Sequence, residues 1–217
     1  MNIAQFTFNA FAENTFVVYD AQGACIIVDP GMSSPEEDAI LFDFIEEHHL
    51  KPQCIVNTHC HIDHILGNAS CVERYNVELI AHRLELPTLE RAPAASLMWD
   101  IPYRMSPEPT RMVEEGEYIA LGSHRLDIVF VPGHAPGHIA LIEHTEGVIP
   151  SGDVLFRQSV GRVDLPGCNA KDLIQSIQKK LYTLPDHFVV YPGHGPETTI
   201  GHEKEHNTFV RMTESYL

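Results

Sequence analysis

The chain has 217 residues and a formal net charge of −16, from 30 acidic and 14 basic side chains with its 14 histidines counted as neutral. Such acidity suits neither nucleic acid nor an anionic membrane as a partner, and no apolar run reaches the roughly 20 residues needed to span a bilayer. Five cysteines, an odd number without a CxxC pair, argue for reduced thiols, and with no signal peptide visible from Met1 to Phe6 the expected location is the cytoplasm.

In chain order, Phe6–Phe8, Thr15–Tyr19 and Cys25–Asp29 read as strands. A helix is predicted over Pro35–His49, with Ile40, Leu41, Phe44 and Ile45 on one face and acids on the other. Ile55–Val56 is a short buried strand, Ile65–Tyr75 a second helix and Glu78–Ala81 the next strand. From about Leu121 the pattern repeats, with strands at Arg125–Val131, Ile139–Ile142 and Val148–Pro150. A helix over Lys171–Leu181, a strand over Phe188–Tyr191 and a last helix over Glu203–Met212 follow. Each half opens with strands and ends in βα. That predicts an α/β protein of one domain over 1–217, a four-layer αββα sandwich of two packed sheets with helices outside. Between the halves, at about 91–117, Pro93, Pro102, Pro107 and Pro109 alternate with Met98, Trp99, Tyr103 and Met105. This stretch reads as a partly helical insert, either over the site or as a surface connection.

The run Thr58-His59-Cys60-His61-Ile62-Asp63-His64 carries the chemistry. Three imidazoles and a carboxylate within six residues are hard to explain as packing and suit a transition metal. His59 and His61, two apart in an extended loop, point to the same side and can share one ion, while Asp63 and His64 face a second point. One segment cannot close two shells. His134, Asp153 and His194 supply the rest: each stands just after a strand and is preceded by glycine. One site is then His59, His61 and His134, the other Asp63, His64 and His194, with Asp153 bridging. Nitrogen and oxygen donors without thiolate suit two divalent ions, zinc first, with iron or manganese as further candidates. Cys60 points away from the ions and packs. His48, His49, His144, His187, His202 and His206 read as surface residues and His82 and His124 as structural. His138 reads as either a hydrogen-bond partner of the ligands or a core histidine.

The ordered set THCHIDH, PGHAPGH, SGD and PGHG resembles the metallo-β-lactamase superfamily over nearly the whole chain. The resemblance implies the same sandwich, the seven ligands named above, and a role for Asp29 in orienting the metal loop. Gly152-Asp153-Val154-Leu155-Phe156, followed by Val160-Gly161-Arg162-Val163-Asp164, looks like the short bacterial glyoxalase II branch. That branch hydrolyses thioesters such as S-D-lactoylglutathione. It implies a small-molecule thioester substrate attacked by a metal-bridging hydroxide, with Asp63 and Asp153 in the catalytic centre. The long form's Lys and Tyr after the bridging Asp are replaced here by Arg162 and Asp164, and Gly195-Pro196-Glu197 follows the last ligand. Arg162 is a candidate for a substrate carboxylate or a structural ion pair. Iron-dependent persulfide dioxygenases look similar in sequence, as do lactonases of the same superfamily.

Overall fold

The computed structural model describes residues 1–211. Its first half opens with β1 (Asn2–Phe8), β2 (Glu13–Tyr19) and β3 (Ala24–Val28). It then alternates α1 (Pro35–Glu47), β4 (Lys51–Val56), α2 (Asn68–Tyr75), β5 (Glu78–His82), α3 (Leu86–Trp99) and β6 (Arg111–Val113). The six strands form one sheet in the order β1-β2-β3-β4-β5-β6, antiparallel up to β3 and parallel from β3 to β6. The second half supplies β7 (Tyr118–Leu121), β8 (His124–Phe130), β9 (Ile139–Glu143), β10 (Val148–Gly152), the hairpin β11 (Leu155–Phe156) and β12 (Ser159–Val160), α4 (Ala170–Ser176), β13 (Val189–Pro192), β14 (Thr198–Thr199) and α5 (Ile200–His206). Its main sheet runs β14-β13-β10-β9-β8-β7.

The four layers follow from the alternation of apolar side chains along each strand, which sends neighbours to opposite faces. Val18, Ile26, Val56 and Ile80 point inward and meet Leu126, Ile128 and Leu141 of the second sheet. Their neighbours Val17, Ile27, Ile55 and Leu79 point outward and meet Leu41 and Ile45 of α1. On the far side, Ala140, Ile142, Ile149 and Val190 meet Leu173, Ile177 and Leu181. Three apolar seams therefore separate four layers, in the order expected from the sequence. Each fully buried Leu or Ile contributes about 1.5–3 kcal/mol to holding them together.

The element boundaries moved where local chemistry intervened. α1 starts where expected: Ser34 caps it by accepting the Glu37 N–H, with Pro35 in the first turn. The second helix begins at Asn68 rather than Ile65, because Ile62–His64 form a single 3-10 turn. The helix expected over Lys171–Leu181 is α-helical to Ser176 and π-helical from Ile177 to Leu181. The last helix ends at His206, where the Asn207 side chain accepts the Phe209 N–H and donates to the Ser159 carbonyl; the expected end at Met212 lies outside the described residues. The stretch at 91–117 also differs from its expected form. Its helix, α3, starts five residues earlier at Leu86, and Arg111–Val113 is not irregular but pairs parallel to β5. A three-residue edge strand with one buried side chain, Val113, is too short to show a period.

β8, β10 and β13 run in one direction: β8 and β10 are each antiparallel to β9, and β13 is parallel to β10. β3 and β4 are likewise parallel. The loops after these five strands carry Asp29, the Thr58–His64 run, His134, Asp153 and His194.

Candidate metal centre

The loop after β4 is folded before any ion is considered. The Asn57 side chain donates to the His64 carbonyl (3.1 Å) and drags the run into a turn. Asp29, in the left-handed region at φ 49°, accepts the Thr58 N–H at 2.7 Å and the Thr58 hydroxyl at 2.6 Å. Asparagine and aspartate tolerate that conformation better than most residues.

The structure brings the candidate ligands together in two triads. One ligand atom from each of His59, His61 and His134 lies within 4.8 Å of the others, and the same holds for Asp63, His64 and His194. Asp153 stands between them: its Oδ2 is 3.5 Å from His134 Nε2 and 3.6 Å from His194 Nε2, and its Oδ1 is 3.6 Å from His64 Nε2. Asp63 Oδ2 lies 3.2 Å from His194 Nε2. Asp29, His59 and His64 make a third close group, but the Asp29 oxygens already take two hydrogen bonds from Thr58 and face His64 Nδ1 at 3.2 Å. Asp29 therefore orients the loop.

Four of the imidazoles have their outer nitrogen occupied. His59 Nδ1 meets the Thr58 hydroxyl at 3.1 Å, His64 Nδ1 meets Asp29, His134 Nδ1 meets the Arg162 carbonyl at 2.9 Å, and His194 Nδ1 meets the Phe11 carbonyl at 3.1 Å. Each leaves Nε2 aimed at the centre, the arrangement that holds a ligand's tautomer and ring orientation. His61 instead turns Nδ1 inward, 2.9 Å from His134 Nε2. Among the described residues, the buried His59 Nε2, His64 Nε2 and Asp153 Oδ1 have no hydrogen-bond partner. Each orphan of this kind costs about 1–3 kcal/mol. Three of them at one focus, on nitrogen and carboxylate donors, fit divalent cations.

Charge divides the centre. Burial pushes His59 and His61 down, His61 to about 3, with the neighbouring imidazoles adding to the effect, and His134 is lowered mainly by burial as well. These three are neutral at pH 7, the form that ligates. Burial also opposes charge on His64, but Asp63 and Asp153 beside it win and hold its imidazole well above the ordinary value. Burial would raise Asp63 and Asp153; the flanking His64 imidazole, with His194, holds both below the usual carboxylate range. Asp63 and the shared Asp153 thus favour a positive charge beside the second triad, which the His64 proton supplies here and a bound cation would supply in its place.

Glycines make room for this. Gly152 has φ 54°, and a Cβ there would strike the Thr58 hydroxyl and come within 2.8 Å of His138 Cε1. Gly193 needs space rather than a turn, because its Cβ would overlap Asp153 Oδ1 and sit 2.7 Å from His64 Cε1. Gly193→Ala is predicted to weaken cation retention about 10–100-fold by displacing those two side chains. Chelator competition on the purified variant measures this, and wild-type retention would remove the role given to Gly193.

The remaining sequence candidates divide as follows. His138 is buried, and its Nε2 accepts the Asp153 N–H at 3.0 Å, so it supports the loop and belongs to neither triad. Cys60 packs with Ile62, Leu89 and Ala92 and belongs to neither triad. Arg162 lines the cavity, but its guanidinium holds Asp164 through two bonds of 2.7 and 2.9 Å. Three residues were not singled out from the sequence. Glu85 is fully buried and accepts the N–H groups of Cys60 (2.8 Å) and Gly137 (2.5 Å), linking the His59–His61 loop to the His134–His138 loop. Asn14 donates to the Pro192 and Gly195 carbonyls, at 3.0 and 2.8 Å, and holds the His194 loop. Glu13 is fully buried with Oε1 3.7 Å from His64 Nδ1, and burial raises its carboxyl well above the usual range. The polar triplet Glu13-Asn14-Thr15 directly before the apolar Phe16-Val17-Val18 was the available signal.

A cavity of about 600 Å³ opens onto the centre, with His61, Asp63, His134, Asp153 and His194 at its floor. Helix α3 forms one wall.

The sequence profile described as the Metallo-beta-lactamase superfamily matches residues 9–194. The hydroxyacylglutathione hydrolase GloC of Haemophilus influenzae is 34% identical over 212 residues, 97% of this chain and 98% of that protein. The probable metallo-hydrolase YqgX of Bacillus subtilis is 34% identical over 90% of each chain. Among solved structures, the B3 metallo-beta-lactamase BLEG-1 superposes with a TM-score of 0.89 at 30% identity, over 96% of this chain and 99% of that one. TTHA1623 in a di-iron-bound form gives 0.86 at 37% identity, over 95% and 100%. With four layers in this order, a profile match over most of its length and these relatives, the chain belongs to the metallo-β-lactamase superfamily.

Proposed function

We propose that the chain is a dinuclear metallohydrolase that cleaves acyl thioesters of the hydroxyacylglutathione kind, S-D-lactoylglutathione among them. The observation that carries this reading is Asp153, whose carboxylate lies within 3.6 Å of an imidazole nitrogen from each triad. The substrate class draws its support from the hydroxyacylglutathione hydrolase relative, 34% identical over almost the full chain. His59, His61 and His134 would hold one cation, Asp63, His64 and His194 the other, and Asp153 both. Thiolate-free nitrogen and oxygen donors suit zinc, and the di-iron form of a relative keeps iron in view. The buried, unbridged cysteines fit a reducing compartment, for which the cytoplasm is our reading.

When bound, such a pair of cations supplies a nucleophile from water at neutral pH and polarises a carbonyl oxygen. The chain does the rest. Hydrolysis adds water across the acyl C–S bond: the carbonyl carbon gains the oxygen, the thiolate leaves and a proton is released. Asp63 turns Oδ2 to His194 Nε2 at 3.2 Å, which leaves its second carboxylate oxygen able to accept a hydrogen bond from the attacking water. The neutral imidazoles of His59, His61 and His134 stay available as donors across the working pH range. α3, Phe11 and Phe156 line the cavity through which a substrate would reach the centre.

Purified protein is expected to contain two cations per chain by elemental analysis and to hydrolyse S-D-lactoylglutathione. Metal-loaded, folded protein that turns over no thioester would overturn the substrate reading while leaving the fold intact. Oxygen uptake with glutathione persulfide on one iron per chain would replace it by a dioxygenase.

A further inference from the structure

The face that α3 turns to the cavity is set by helical spacing: Thr88, Arg91, Ala92, Ala95 and Met98 recur at intervals of one, three or four and line the same wall. Below it, Leu89 and Ala92 pack on Cys60, Ile62 and Ile65, which fixes the helix against the metal loop. The two alanines leave the wall open. At its end Trp99 meets Phe11 of the β1–β2 loop edge-on, with ring centroids 5.8 Å apart. Phe156 and Val160 of the β11–β12 hairpin line the cavity as well. The cavity above the centre is therefore mostly apolar, yet it contains two cationic side chains, Arg91 and Arg162.

Those two arginines differ. In this acidic chain, Arg74, Arg83, Arg104, Arg111, Arg125 and Arg162 each have a carboxylate partner, and of the arginines without one among the described residues, Arg91, Arg157 and Arg211, only Arg91 lines this cavity. Arg162 is matched in a bidentate pair, so its charge is already answered. Arg91, an exposed residue at the rim of the same cavity, makes no ion pair among the described residues. An unpaired guanidinium at the edge of an apolar pocket is suited to a carboxylate brought in by a ligand.

We infer that Arg91 is the specificity-determining residue of this site, and that the substrate is a thioester with an apolar body and a carboxylate that binds Arg91. This rests on the thioester reading above. Met98, Trp99 and Phe11 would cover the apolar body, while the acyl carbonyl reaches the floor.

Trp99 is the chain's only tryptophan and stands in this wall, so its fluorescence reports binding without turnover. The probes are 6-(benzylthio)hexanoate, a thioether that cannot be hydrolysed, and its primary amide. Wild-type protein should bind the carboxylate with a change in Trp99 emission, and Arg91→Gln should weaken it about tenfold, the usual scale for a charge-assisted contact. The amide should bind wild type and Arg91→Gln alike. In the thioester assay, Arg91→Gln should raise KM for carboxylate substrates with little change in kcat. No binding of the carboxylate, equal binding of it by wild type and Arg91→Gln, or a matching loss in Arg162→Gln would overturn the inference. Because the probes are inert, these results stand apart from whether any thioester is hydrolysed: binding as described in a protein without thioesterase activity would count against the reaction and not against Arg91.

Discussion

Replacing Asp153 with alanine is expected to lower kcat/KM by at least about 10³-fold, a loss of ~4 kcal/mol in transition-state stabilisation. Asp153 is the one candidate ligand that faces both triads, with distances of 3.5 and 3.6 Å to His134 and His194 and 3.6 Å to His64. Removing it takes a carboxylate from both groups at once, so cation content should fall from two per chain toward none in a dialysed sample. The chain should still fold, because the contact that fixes this loop, from the Asp153 N–H to His138, belongs to the backbone and survives in alanine. Asp153→Asn keeps the shape but not the charge. It should recover part of the binding and little of the activity. Elemental analysis and steady-state kinetics on the same preparations decide the matter. A folded Asp153→Ala variant that keeps two cations and activity within tenfold of wild type would end the dinuclear reading.

The candidate ligands could be read from the sequence because their chemistry is local. His59 to His64 are contiguous, and His134, Asp153 and His194 each follow a strand and a glycine. The layers were legible for a similar reason: pairs such as Val17-Val18 and Ile26-Ile27 serve the outer and inner seams in turn. Features set by contacts between distant segments were not visible. Glu85 looks like a surface acid in Arg83-Leu84-Glu85, yet it is fully buried, and only the approach of Cys60 and Gly137 explains why. Asn14 lies 178 and 181 positions from the carbonyls it holds. β6 escaped because three residues carry no period. Arg162 was open between a substrate carboxylate and a structural ion pair, and its bidentate bond to Asp164, two residues on, is the second of these. Arg91 lay in a segment with no motif, and its position follows only once α3 is placed over the floor of the cavity.

Glu85→Ala should damage the centre from behind. The carboxylate is buried with its two oxygens divided between two N–H groups, Cys60 at 2.8 Å and Gly137 at 2.5 Å. Alanine leaves both donors buried and unpaired at about 1–3 kcal/mol each, for a total of roughly 2–6 kcal/mol. In a domain of this length that corresponds to a fall in Tm of roughly 4–24 °C. The larger consequence is geometric. Cys60 lies between His59 and His61, and Gly137 lies in the loop that carries His134 and His138, so the carboxylate fixes the spacing of the first triad without facing it. Cation retention there should weaken about 10–100-fold, the scale found when groups that orient ligands are removed. Glu85→Gln offers one acceptor oxygen and turns an NH2 toward the other donor, so it should fall between alanine and wild type in both measures. Thermal melts and chelator competition, run on the three proteins side by side, test the ordering. An alanine variant that melts with wild type and resists chelator equally would show that the two loops hold their spacing without Glu85.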